Sequence, residues 1–393
     1  MKLGRRILFS LLNVTLLIGC SIKKDSIFTS TTLPNIESQF IPSIIWRHSI
    51  GNGIQKYYSQ LSPVYDNSIV YAANRKGKVQ SIDFNSGKVL WSIDLSKKIG
   101  FFTDNCSALL SSGLTISGDK LYIGTETGKV IALNKADGKM AWETYISGEA
   151  ISKPVVNNDL VLLHTSNGIL QALVAKTGQK KWSINLDSSP LSIRGKSAPA
   201  IAYEIAIVGS HSGRISAITI SNGEILWQQY ISQIHGSSEI DRLHDVNMTP
   251  YIDINSGIIY VIAYNGNLVS IDIRSNKIIW KCDLGSVNDI IVSNDIIYLV
   301  DQNDRVLAIR KNDGITLWTQ NALLHRNLTA PVIYDGYLVV GDEEGYLHWL
   351  DTKHGQFVAQ NKIDSSGLHS HPVIASDKLV IQAKNGTVYL IKH

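Results

Sequence analysis

Residue types that could carry out chemistry are few and scattered along the chain. Asp289, Asp301 and Asp304 are candidate general bases, and His369 and His371 could contribute to a metal site. The aspartates fall at predicted strand ends and turns, where Asp is common because its carboxylate bonds nearby backbone amides. The two histidines have no third ligand at suitable spacing. Nucleophile-elbow, zinc-protease and phosphate-loop motifs do not occur. The sequence therefore predicts no catalysis, no cofactor and no metal.

One reaction is indicated near the N-terminus, where a cysteine follows an export signal. Basic residues precede the apolar stretch 7–18, which is too short to span a bilayer as a helix. The string ending in Gly19-Cys20 resembles a bacterial lipobox, in which the cysteine thiol is acylated and becomes the new N-terminus. An ordinary cleaved signal with an incidental cysteine is the alternative. Ser21 is similar to the residue after the cysteine in lipoproteins sorted to the outer membrane. Residues 1–19 are thus expected to be a signal peptide.

Composition indicates a globular protein without a nucleic-acid partner. The 393 residues are 44% hydrophobic and 18% charged, which excludes disorder and a multi-span membrane protein. The formal charge is +4, and three of these positive charges lie in the leader. The near-neutral remainder gives no reason to expect nucleic acid. Cys106 and Cys282 fall in different repeats, so we expect two small buried residues and no disulfide.

An internal repeat predicts the fold. A turn ending in Gly, three residues and then Trp recur, as in Gly87 to Trp91 and Gly138 to Trp142. Successive Trp positions are 38 to 53 residues apart, which brackets the blade length of about 40–45 residues in β-propellers. Asn276 replaces the Gly before Trp280, and Ala359 replaces the Trp after Gly355. The Trp is predicted to pack between adjacent blades.

Each repeat contains four strand signals separated by tight turns. In the second repeat these are an inner strand around 109–116, then 120–124, 129–133 and the Trp142 strand. Residues 371–393 supply only three strands, and the strand that would complete them lies around Trp46. The prediction is an all-β, eight-bladed β-propeller over 41–393, with four-stranded antiparallel blades, closed by the N-terminal strand joining the C-terminal blade. Residues 20–40 are predicted to be a lipidated, flexible tether.

Two connections between blades are unusually long, and function concentrates in such loops. Residues 187–199 contain Leu191 and Ile193, apolar residues followed by Arg194. Residues 232–249 contain Asp245. Apolar anchors beside charged groups are typical of a protein-binding hot spot. The alternative is that the apolar side chains fold back onto the blade.

Several long strings resemble the BamB family, the lipoprotein propellers of the outer-membrane β-barrel assembly (BAM) machinery. The similarity covers essentially the whole mature chain. The strings that carry it are 190–199, 239–246, 263–268, 284–289 and 300–306.

The resemblance implies a non-catalytic scaffold that is lipid-anchored in the outer membrane, faces the periplasm and docks onto the POTRA domains of BamA. It places contacts at Leu191, Ile193, Arg194, Asp245 and Asn247. The family has Leu where this chain has Ile193, and Asp where it has Asn247, so a charged contact at 247 is in doubt. Arg194 is expected to pair either with the partner or with Asp245. Whether unfolded outer membrane protein clients also bind the ring is left open.

Two other functions stay open from the residues alone. The Trp repeat also resembles pyrroloquinoline-quinone (PQQ) enzymes, but the adjacent cysteine pair of those enzymes is missing. A periplasmic binding propeller with another client, such as peptidoglycan or a secretion partner, is the second alternative.

Overall fold

The computed structural model describes residues 30–97, 106–186, 197–232 and 243–393. These residues form eight four-stranded antiparallel sheets, and each sheet is one blade of a closed ring. No helix among the described residues is both long enough and apolar enough to cross a bilayer. The predicted eight-bladed β-propeller is confirmed.

The 32 strands follow one another blade by blade. Blade one comprises β2 (Val64–Asp66), β3 (Ile69–Ala73), β4 (Lys78–Asp83) and β5 (Val89–Asp94); blade two comprises β6 (Thr115–Ser117), β7 (Lys120–Gly124), β8 (Lys129–Asn134) and β9 (Met140–Tyr145). Blade three comprises β10 (Val155–Asn157), β11 (Leu160–His164), β12 (Ile169–Val174) and β13 (Lys180–Asn185); blade four comprises β14 (Ala200–Ala202), β15 (Ile205–Gly209), β16 (Arg214–Thr219) and β17 (Ile225–Tyr230). Blade five comprises β18 (Tyr251–Asp253), β19 (Ile258–Ile262), β20 (Leu268–Asp272) and β21 (Lys277–Cys282); blade six comprises β22 (Ile291–Ser293), β23 (Ile296–Val300), β24 (Val306–Arg310) and β25 (Thr316–Gln320). Blade seven comprises β26 (Val332–Tyr334), β27 (Tyr337–Gly341), β28 (Tyr346–Asp351) and β29 (Phe357–Lys362); blade eight comprises β30 (Val373–Ala375), β31 (Lys378–Gln382), β32 (Thr387–Lys392) and β1 (Ser43–Ser49).

Blade eight closes the ring as the sequence predicts. Strand β1, the first in the chain, pairs antiparallel with β32, the last, from Ser43 opposite Lys392 to Ser49 opposite Thr387. Because this pairing joins the two ends of the chain, the ring has no open blade at which it could fray.

Strand positions follow the predicted pattern, with one shift at the inner strands. The second and third strands of each blade are almost wholly buried, whereas the outer strands alternate exposed and half-buried residues. The inner strand of blade two is only Thr115–Ser117, shorter than the predicted 109–116. The residues before it belong to the connection from blade one, where Leu110 and Leu114 are buried and Leu110 forms only an isolated bridge with Thr125. The predicted start of this strand was too early because the apolar residues before it are buried in the connection and not in the sheet.

The repeated Trp lies between blades, as predicted, and the structure explains the Gly that precedes each one. Trp91 of blade one packs on Gly138, which belongs to the turn of blade two, and its Nε1 donates to the Lys135 carbonyl at 2.9 Å. A Cβ on Gly138 would lie 2.7 Å from the Trp91 ring, and the backbone there has φ +73°. Six junctions have this Trp-to-carbonyl bond; the donors are Trp46, Trp91, Trp142, Trp182, Trp280 and Trp318.

The described part of the predicted tether is held against the ring. Thr31 N donates to the Leu324 carbonyl at 3.1 Å, and Gln39 N donates to the Val358 carbonyl at 2.8 Å. Phe40 packs edge-on against Trp349 with ring centroids 5.4 Å apart. The expectation of a flexible tether over 20–40 is therefore wrong for residues 31–40, because their apolar and backbone groups find partners on blades six and seven.

The two cysteines of the propeller differ from expectation in burial. Cys106 is exposed and Cys282 is half-buried, and both are free thiols. Burial raises the pKa of Cys282 to about 11, so its thiol is protonated and unreactive at neutral pH.

Candidate functional site

The two long connections return to the ring side by side on one face of the propeller. Their central parts, 187–196 and 233–242, lie outside the described residues, and with them Leu191, Ile193 and Arg194; Cys20 also lies outside them. The first connection re-enters at Ser197, whose carbonyl accepts from His164 Nδ1 at 3.3 Å. The second re-enters before Val246, whose backbone N donates to the Ser210 carbonyl at 3.0 Å. Blades three, four and five thus position both connections.

Asp245 is completely buried at the point where the second connection reaches the ring. Its Oδ2 lies 3.5 Å from His211 Nδ1, and its carbonyl accepts from Tyr264 N at 2.9 Å. Val246 explains this depth, because a Cβ on Gly209 would lie 2.3 Å from the Val246 side chain. The glycine lets the connection descend onto blade four and carry Asp245 below the surface.

Asn247 is also buried, with only 2% of its surface exposed. Its side-chain Oδ1 has no hydrogen-bond partner in the described parts of the chain. A buried carboxylate at this position would carry a desolvation cost that the amide avoids. Both residues were expected to contact the partner, and the structure buries both side chains.

Sequence reasoning missed the histidines around this point. His164 and His211 stack with ring centroids 6.2 Å apart, and His211 Nε2 bonds the Ser166 carbonyl at 3.1 Å. His244 Nδ1 bonds the Asn265 carbonyl at 3.0 Å. Because a carbonyl only accepts, each of these ring nitrogens carries a hydrogen. The three residues come from different blades and connections, so no local spacing could have revealed them.

The histidines were considered as metal ligands. Across the described ranges, no group of three or more His, Cys, Asp or Glu side chains is arranged to hold a metal ion. His164 and His211 instead tie the hairpin of one blade to the connection entering the next, and His244 ties the second connection to the hairpin of blade five. This makes the face between blades three and five a supported platform for the two connections.

The aspartates that the sequence singled out serve the backbone. Asp289 Oδ1 accepts from Thr249 N at 2.7 Å, and Asp301 Oδ1 accepts from Arg305 N at 2.8 Å. Asp304 accepts from the backbone N of Asn327 and Leu328, both at 2.9 Å. Burial raises the pKa of Asp304. Asp301 thus caps its own turn, as the sequence suggests, whereas Asp289 and Asp304 each bond backbone amides of a neighbouring connection.

These features define a class: an eight-bladed propeller whose blades are joined by packed tryptophans and whose two long connections re-enter the ring at neighbouring blades. The sequence profile described as outer membrane protein assembly factor BamB matches residues 75–320. Curated relatives with that name are 53% identical in Salmonella typhimurium and 52% identical in Escherichia coli K12, each over 100% of both chains. The chain belongs to the BamB family.

Solved structures agree with the fold. The crystal structure of BamB from Moraxella catarrhalis superposes with a TM-score of 0.79 at 23% identity, covering 90% of this chain and 100% of that one. A europium-containing methanol dehydrogenase superposes with a TM-score of 0.70 at 12% identity, covering 90% and 93% of the two chains. At these identities both likenesses concern the fold alone.

Proposed function

We propose that this protein is a non-catalytic scaffold subunit of the BAM complex, assisting outer membrane protein folding and insertion by binding the POTRA domains of BamA. Support comes from full-length relatives that carry the name outer membrane protein assembly factor. The observation that carries the binding mode is the convergence of two long connections on one supported face, at Ser197 and Val246. Loops held by a rigid scaffold are the usual carriers of binding function.

The contact surface in this proposal is formed by Leu191, Ile193 and Arg194. The apolar pair enters a groove on the partner, and the guanidinium of Arg194 supplies directed hydrogen bonds that Lys does not reproduce. Asp245 and Asn247 belong to the same site but act from below, since both are buried. Their role is to fix the height and direction of the second connection.

The hydrogen bonds of the three candidate aspartates disfavour a catalytic role as a quinoprotein enzyme. The carboxylates of Asp289, Asp301 and Asp304 are engaged by backbone amides within the fold. The shared fold with dehydrogenases does not carry their chemistry, because one fold hosts many functions.

The decisive experiment is recovery of BamA from solubilised membranes with Ile193→Ala and Arg194→Ala combined. Truncating a hot spot costs about 2–4 kcal/mol, so affinity should fall roughly 30- to 1000-fold and BamA should be lost from the pull-down. The matched control is Lys180→Ala with Lys181→Ala, two exposed charges on the outer strand of blade three. Normal BamA recovery by the loop variant, with an unchanged melting temperature, would contradict the proposed site.

We further propose that Cys20 is acylated and anchors the chain in the outer membrane, with the ring in the periplasm. Cys20→Ser should be exported yet appear in the soluble periplasmic fraction, since each buried acyl CH₂ contributes about 0.8 kcal/mol to membrane binding. Fractionation in cells lacking the partner complex measures this. Sedimentation of the variant with outer membranes there would refute the anchor.

A further inference from the structure

The ring surrounds an axial cavity of about 110 Å³, to which the two long connections contribute only residues near their ends, Ala198 and Thr249. Every one of the eight connections that lead into an inner strand contributes a lining residue, so the cavity lies on the propeller axis. A volume of this size holds several water molecules or a small anion. Central cavities of this kind, with few polar groups converging, are common ligand sites.

One repeat position accounts for the chemistry of the cavity. It is the residue two places before each inner strand, and in all eight blades that residue lines the cavity. In five blades it is small and uncharged, and the three titratable exceptions are Lys153, Asp289 and His371. Because Ser, Gly, Ala or Thr suffices elsewhere, the blade itself does not require a lysine here.

Lys153 lines the cavity as a cation whose side chain is exposed to solvent. Solvent reaches its side chain through the cavity, yet the surrounding protein lowers the pKa of its ammonium by desolvation. Asp289 opposes this shift electrostatically but forms no ion pair with Lys153. Within the described chain, Lys153 Nζ makes no hydrogen bond or salt bridge. A partly desolvated ammonium without an ion-pair partner attracts an anion, because the anion replaces the interactions that the ammonium has lost with water.

The side chains around Lys153 indicate which class of ligand the cavity could bind. Asp289 already accepts a backbone hydrogen bond from Thr249, which holds its carboxyl group on one side of the axis. His371 stands at the equivalent position in blade eight and can add a ring N–H donor. Charge-assisted hydrogen bonds from an ammonium and an imidazole suit oxygen anions.

We propose that the axial cavity binds a small carboxylate or phosphate anion, held by Lys153 with His371 as a second donor. The site is independent of the proposed docking of BamA, because the cavity is lined by the inner-strand entries and not by the residues assigned to the partner.

The test follows lysine resonances of the reductively ¹³C-methylated mature chain by NMR during addition of inorganic phosphate or, separately, citrate. One resonance, absent in Lys153→Ser, should shift saturably at millimolar ligand, and the bound anion should raise its titration midpoint. Serine occupies the equivalent place in blade one, so the variant is expected to fold, which melting verifies.

Isothermal titration on unmodified protein completes the comparison. Lys153→Ser should lose at least about 10-fold in affinity for the anion that binds the parent chain, whereas Lys181→Ser, on the outer strand of blade three, should bind normally. Saturation by phosphate alone or by citrate alone identifies the anion type. No saturable shift with either anion, or equal binding by the folded Lys153→Ser protein, overturns the proposal.

Discussion

The junction between blades one and two and the seam between blades seven and eight occupy equivalent places in the ring but are filled differently. At the first, Trp91 lies on Gly138 of the next blade and bonds the Lys135 carbonyl. At the seam the corresponding outer-strand residue is Ala359, which is fully buried. Phe40, from the segment preceding β1, fills the space together with Trp349 and His393.

The difference follows from the way the ring closes. A regular junction needs a glycine turn between the third and outer strands of the next blade. In blade eight these two strands are the two ends of the chain, so that turn does not exist. A Trp at 359 would have no turn to lie on, and the N-terminal segment takes over its packing role. The seam therefore depends on residues outside the blades.

The largest effect is expected at a regular junction. Trp91→Ala removes the ring between blades one and two and should cost about 3–5 kcal/mol of unfolding free energy. Thermal or urea unfolding followed by circular dichroism measures it. The neighbouring Leu90, 55% exposed, is the matched control, and Leu90→Ala should change stability by less than about 0.5 kcal/mol. Equal losses from the two variants would show that the Trp does not hold the junction.

A smaller loss is expected at the seam. Phe40 is half-buried like Trp91 but has a smaller ring, so Phe40→Ala should cost about 1.5–3 kcal/mol, within the range for burying one such side chain. Limited proteolysis near residues 30–40 should accelerate in the same variant, because the ring contact anchors that segment. If the variant melts and is cleaved like the parent chain, Phe40 does not replace the missing Trp.

The smallest effect is expected at the junction between blades four and five, where Asn276 stands in the glycine position. Its backbone has φ 53°, and its buried side-chain Oδ1 has no hydrogen-bond partner among the residues that the structure describes. Asn276→Gly relieves both features and should stabilise the chain by no more than about 1 kcal/mol, since glycine loses more entropy on folding. Gly138→Asn is the reciprocal variant and should destabilise, because its Cβ meets the Trp91 ring. A destabilised Asn276→Gly protein would contradict this view of the turn.

The repeat, the number of blades and the closing strand could all be predicted from the sequence. Each blade is built from hairpins between neighbouring segments. The alternation of apolar residues and the turn residues that specify these hairpins are therefore visible in short stretches of sequence. The strand around Trp46 was identified because residues 371–393 lacked a fourth strand. The two long connections stood out by length alone.

The tertiary structure alone decided what meets across blades. The Gly of each Gly-x3-Trp repeat contacts the Trp of the preceding blade and not the Trp of its own repeat, which the repeat alone does not show. Asp245 and Asn247 looked like surface residues of a loop, but the packing of Val246 on Gly209 draws them under it. Phe40 looked like part of a tether. The ring of equivalent positions around Lys153 became a site only when eight blades were arranged about one axis. Such contacts join residues that are about one repeat or more apart in the sequence. Local periodicity therefore does not predict them.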